Sequence, residues 1–137
     1  MGYKFLKHTG DIKIRVNEKN IELAFISSAF ALSQIITDKT KINSKISKKI
    51  KVSGNDMSSL LYNFLEEFLF LLDAKGFILS EIINFKIDKK KFLIICEVLG
   101  DKSKNYKFTN DVKAITYHEM KIEQKNNYSV IEFVLDV

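Results

Sequence analysis

The sequence predicts an α+β fold, a single domain in which two helices pack on a mainly antiparallel β-sheet. Three observations carry this. Two segments, near residues 20–37 and 55–75, repeat apolar residues at helical spacing. Residues 11–16 alternate strictly between polar and apolar, the period of a half-buried strand. After residue 76 the chain becomes a run of strand-like segments with polar turns, and strands segregated from helices argue for α+β rather than alternating α/β. The length, 137 residues, fits one domain spanning 1–137.

Ile12, Ile14 and Val16 face one side of the first alternating strand, and Asp11, Lys13 and Arg15 the other. Thr9-Gly10 before it reads as a bend, because glycine takes backbone angles other residues avoid. Asn20 offers a helix N-cap and Glu22 suits the positive end of the helix dipole. Leu23, Phe25, Ile26, Ala29, Phe30, Leu32 and Ile36 then form a wide apolar stripe ending near Thr37. Residues 39–51 carry lysines at 39, 41, 45, 48, 49 and 51, interrupted by Ile42, Ile46 and Ile50. They read as a loop leading into a strand whose lysines discourage edge-to-edge pairing.

Asn55 or Asp56 caps the second helix, whose stripe of Met57, Leu60, Leu61, Phe64, Phe68 and Leu71 stops at Gly76. Residues 83–88 and 91–99 flank the polar turn Asp88-Lys89-Lys90 as a hairpin. The second of these strands is apolar on both faces, so it is expected to be covered on both. A polar loop from 101 to 111 leads to two last strands, 112–121 and 128–137. In the final one Ile131, Phe133, Leu135 and Val137 share a face, and Val130, Glu132, Val134 and Asp136 the other.

Composition excludes several function classes. Cys96 is the only cysteine, so no internal disulfide forms, and a reducing cytosol is the simplest compartment. Cys96 lies in an apolar run and reads as a buried structural thiol. The first residues lack the apolar core of a signal peptide, and Asn63, Glu66 and Glu67 break the longest apolar stretch, so no membrane span is expected. The net charge of +5 permits an acidic partner but does not name one. Lysine supplies nearly all of it; Arg15 is the only arginine, and bidentate phosphate or guanine recognition favours arginine. With two histidines, His8 and His118, and no phosphate loop or nucleophile motif, the chain reads as non-catalytic.

The carboxylates say more. Asp11 opens the first alternating strand, Asp136 is penultimate, and Val137 carries a terminal carboxylate. If the first and last strands are neighbours, these groups converge, and like charges that close favour a hard cation such as Ca²⁺ or Mg²⁺ between them.

Several motifs now add up to a family resemblance. His8-Thr9-Gly10-Asp11, Thr37-Asp38, Leu60 to Glu67, the run Lys113-Ala114-Ile115-Thr116-Tyr117-His118, and the ending Leu135-Asp136-Val137 together resemble the archease family, in order along the whole chain. Departures are Gly10 in place of the usual alanine, Phe64 where many members have tryptophan, and a short loop at 101–111. The resemblance implies a divalent-metal site, Ca²⁺ first, with Asp11, Asp136 and Val137 as ligands. It implies a partner, the RtcB-type tRNA-splicing RNA ligase, whose guanylylation and multiple turnover the protein would promote and whose nucleotide choice it would broaden, meeting tRNA only through the ligase. Lys113 matches a family lysine implicated in that activation, and His8 and Asp38, in matching motifs, are placed with it. Rival readings are an RNA-binding module using residues 39–51, a modulator of RNA-modifying enzymes, and a metal-dependent hydrolase using Asp11 and Asp136 with His8 as base.

Overall fold

The structure, a computed structural model, describes residues 2–8, 11–108 and 111–137, with the backbone alone at 7 and 8. In chain order the elements are β1 (Gly2–His8), β2 (Asp11–Glu18), α1 (Ile21–Thr37), β3 (Ile46–Ser53), α2 (Met57–Lys75), β4 (Phe77–Asp88), β5 (Leu93–Lys102), a 3-10 turn (Ser103–Asn105), β6 (Ala114–Gln124) and β7 (Ser129–Asp136). The strands form two sheets, β1-β2-β7-β6 and β3-β5-β4, and every pairing is antiparallel. The α+β class is as the sequence predicts, but the expected single sheet is two.

Both helices begin where their caps require. The Asn20 side chain accepts a hydrogen bond from the Leu23 amide, and Asp56 accepts one from the Ser59 amide in a capping box. Gly76 ends α2 in the left-handed conformation, φ 61°, at little steric cost.

The helices pack against one face of each sheet and against each other. Ile14, Val16, Ile131, Phe133 and Leu135 of the four-stranded sheet, and Ile94, Cys96 and Val98 of the three-stranded one, are buried. Phe64 of α2 is the hub: its ring lies 6.1 Å from that of Phe25, 5.0 Å edge-on to Phe68 and 5.7 Å from Phe85. At Gly100 of β5 the neighbouring strand β4 approaches so closely that a Cβ would sit 2.0 Å from the Ile78 carbonyl oxygen.

β1 is a strand the sequence reading does not foresee; its Tyr3 and Phe5 lie opposite the buried Val16 and Ile14 yet stay exposed at the sheet edge. Two expectations need correction. β5 is covered on one face only: Ile94, Cys96 and Val98 are buried, but Ile95 is 49% exposed, since the helices cover a single side of its sheet. The expected loop at 101–111 begins later, because β5 runs on to Lys102. His118 lies within β6. The expected bend at Thr9-Gly10 lies outside the described residues. β3 is an edge strand carrying Lys48, Lys49 and Lys51, as predicted.

Candidate functional site

The alternation of β2 fixes the site. Ile14 and Val16 are fully buried against the helices, so parity puts Asp11, Lys13 and Arg15 on the opposite, outer face. The ladder register then aligns one row across all four strands: His8 opposite Asp11, Asp11 opposite Asp136, and Asp136 opposite Ala114. Directly opposed residues have Cβ atoms about 4.5–5.5 Å apart on the same face. The two aspartates, distant in sequence, therefore share one end of one sheet, and both are partly buried. Val137 follows at once and is exposed. The Lys113 amide donates to the Asp136 carbonyl oxygen at 2.8 Å, which holds this exposed lysine at the same sheet end. His8 joins the row by its backbone. Asp38 is placed differently: it is the exposed C-cap of α1, in the left-handed conformation, set by the helix end rather than by the sheet.

The outer face continues as a charged ladder. Arg15 Nε lies 2.7 Å from Glu132 Oε2, and these two are opposed across β2 and β7. Lys13, one row nearer the aspartates, lies 3.5 Å from both Glu132 and Glu119. Glu132 is only 8% exposed, and the two cations offset the cost of burying its charge.

Glu119 reaches Lys13 because β6 bulges. The register jumps between Thr116 and Lys121, and Glu119 takes φ 58°, a left-handed conformation that costs a non-glycine residue about 1–3 kcal/mol unless its surroundings hold it. Two contacts hold it here: the ion pair to Lys13, and the ring of Tyr117 stacked on Tyr62 of α2, centroids 4.4 Å apart at 7°. His118, at the crest, is exposed, with Nε2 3.6 Å from Glu119 Oε2. The sequence reading missed this bulge, Lys13 and Tyr62. The run from Lys113 to His118 marked the segment, but contacts across strands and to a helix leave no periodic trace.

Two aspartates bring carboxylate oxygens to one sheet end. Such donors fit a hard cation better than zinc or copper, which favour thiolate and imidazole. Among the described residues no three His, Cys, Asp or Glu side chains cluster as a metal centre. Cys96 is buried, and that burial pushes its thiol up to about 11, leaving it inert at neutral pH.

The model of the archease protein family (MTH1598/TM1083) matches residues 3–137. The chain belongs to the archease family. Protein archease of Sulfurisphaera tokodaii is 35% identical over 98% of each chain, and that of Pyrococcus furiosus 39% identical over 89% of this chain and 88% of its own. Among solved structures, the solution structure of Methanobacterium thermoautotrophicum protein 1598 superposes with TM-score 0.83 at 25% identity, covering 99% of both chains. The crystal structure of a Thermotoga maritima protein, described as an archease and possible chaperone, shares the fold with TM-score 0.63 at 15% identity, covering 98% of this chain and 96% of its own. This archease thus has the family's α+β fold over nearly its whole length. None of its described helices is long and apolar enough to cross a membrane.

Proposed function

We propose that this archease is a cytosolic, non-catalytic activator of an RtcB-type tRNA-splicing RNA ligase, and that it works through one divalent cation, Ca²⁺ ahead of Mg²⁺, held by Asp11, Asp136 and the Val137 carboxylate. Family membership supports the partner. The observation that carries the site is the register of β2 and β7, which sets Asp11 opposite Asp136 and so gathers the donors before any metal arrives.

Each residue has a role the geometry allows. The ladder fixes the backbone of the two aspartates, so only side-chain freedom remains to be lost on binding. A bound cation would neutralise the clustered carboxylates and present a concentrated positive charge at the sheet end. Lys113, fixed there by its backbone, offers an ammonium that meets a phosphate or an acidic ligase group as a point charge. His8, whose backbone shares the row, and Asp38, at the end of α1, are kept as further candidates for ligase contact. The activator would promote guanylylation and turnover of the ligase and widen its nucleotide choice.

The deciding experiment is multiple-turnover ligation by the cognate ligase with and without this protein. Stimulation by the wild-type chain that is lost in Asp11→Ala and Asp136→Ala supports the reading. Equal stimulation by those variants, while folded, sinks it.

A further inference from the structure

A cleft of about 430 Å³ lies where the end of α1 meets β4. Phe30, Ser33, Gln34 and Thr37 fall at i, i+3, i+4 and i+7, so one side of the helix makes a wall about 10 Å long. Asp38 and Lys39 are both left-handed, at φ 51° and 64°, and turn the chain back along the cleft. The returning loop is fastened twice. The Asn43 amide donates to the Tyr106 hydroxyl at 3.0 Å, and the Ser44 and Ser80 hydroxyls bond each other. The register of β4 shifts between Leu79 and Glu81, which takes Ser80 out of the ladder and toward that loop. The cleft is therefore shaped before any ligand arrives, and its volume falls in the range of small-molecule sites, about 300–1,000 Å³.

The lining suits a neutral ring with a polar edge. Thr37 is 1% exposed, yet its hydroxyl has no hydrogen-bond partner among the described residues. Buried polar side chains ordinarily have a partner, and this one, on the wall of the cleft, has only the cleft to supply it. The other hydroxyls are engaged: Ser33 donates to the Leu79 carbonyl oxygen at 3.5 Å, and Ser44 and Ser80 satisfy each other. Gln34, one turn before Thr37, offers a donor and an acceptor on one amide. Phe30, a further turn back, supplies an aromatic ring. Charge is balanced, since Lys39 and Lys41 are matched by Glu81 and by Asp38 at the helix end, so the cleft selects neither an anion nor a cation. An aromatic ring at one end and a donor–acceptor pair at the other fit a nucleobase, whose face stacks and whose edge both donates and accepts.

We propose that this cleft binds one nucleoside unit, its base against Phe30 and its polar edge on the Gln34 amide and the Thr37 hydroxyl. The chemistry is the same for a free nucleoside and for the last residue of an RNA strand. The cleft shares no residue with the aspartate pair and does not depend on the activator reading.

The test is an NMR titration of the labelled protein with adenosine, uridine, glucose and a short RNA ending in adenosine. Saturable amide shifts centred on Gln34, Thr37 and Ser80 are expected with a nucleoside and not with glucose. Phe30→Leu should weaken binding about tenfold, the loss of one base–aromatic stack. Thr37→Val should weaken it about fivefold, the loss of one neutral hydrogen bond. Because the Thr37 hydroxyl bonds to no protein group, Thr37→Val should unfold at the wild-type temperature, so its weaker binding reports on the ligand and not on the fold. An RNA that moves the same amides at lower concentration than adenosine assigns the cleft to a strand end, and one that leaves them unmoved assigns it to free nucleosides. The proposal is overturned if neither nucleosides nor RNA saturate these amides, if glucose shifts them equally, or if Thr37→Val binds like the wild type.

Discussion

Asp11 and Asp136 stand directly opposite one another across the β2–β7 ladder, on the face turned away from the helices. On the proposed reading these two carboxylates share one cation. Calcium chloride is therefore expected to raise the melting temperature relative to EDTA; at a hundredfold excess over Kd the gain is about 2.7 kcal/mol. Asp11→Asn and Asp136→Asn should each lose most of that calcium-dependent gain. Calorimetry in the two buffers checks this, and a full calcium response in both variants would place the ion elsewhere.

Lys113 is tied to Asp136 by its amide, not by its side chain. Lys113→Ala keeps that bond, so its unfolding free energy should match the wild type within about 0.5 kcal/mol, as for surface changes generally. Calcium affinity should also survive. Ligase stimulation should not. A variant that stimulates fully would remove Lys113 from the functional patch and leave the metal reading intact.

Tyr62 and Tyr117 stack between α2 and the β6 bulge. A double-mutant cycle to Leu at both positions should return a coupling of about 0.5–1.5 kcal/mol. Urea midpoints of the four proteins give the number. A coupling near zero would mean that the stack does not help hold the bulge.

Gly100 admits no side chain. A Cβ there meets the Ile78 carbonyl oxygen at 2.0 Å and the Phe77 ring at 2.6 Å, both parts of the packed core. Gly100→Ala is expected to destabilise by about 3 kcal/mol, the upper end for overpacking. Denaturant unfolding tests it, and a loss under about 1 kcal/mol would show that β4 can move aside.

The buried Asp101 accepts from the Tyr106 hydroxyl at 2.8 Å and from the Lys102 amide at 2.8 Å. Chiefly the tyrosine, and then the amide, hold its carboxyl below the usual carboxylate range. A carboxyl lowered on folding adds stability that is fully present above its unfolded value of about 3.9. That stability is lost as pH falls through the lower folded value. Tyr106→Phe removes the first cause, so stability should fall less steeply on acidification below pH about 4. The Tyr106 hydroxyl also accepts from the Asn43 amide, so the slopes with pH, rather than the absolute stabilities, are the measure.

The sequence by itself determined what is local. Both helices start at the caps it marks, Asn20 and Asp56, and α2 stops at Gly76, because capping bonds and left-handed glycine act within one turn. The alternation at Asp11 to Val16, and that of the last strand, set which side chains face the core. The motifs named the family, and with it the aspartates worth watching. Tertiary structure decided the rest. Only the ladder shows that the neighbour of β2 is β7, which turns two aspartates at opposite ends of the chain into a facing pair. Only packing shows that β5 has one open face, since an apolar run reads the same whether one or both sides are covered. The bulge that brings Glu119 to Lys13 and Tyr117 to Tyr62 was invisible for the same reason. Caps and alternation are properties of neighbouring residues, whereas register, sheet partition and bulges are fixed by contacts between segments far apart in the chain.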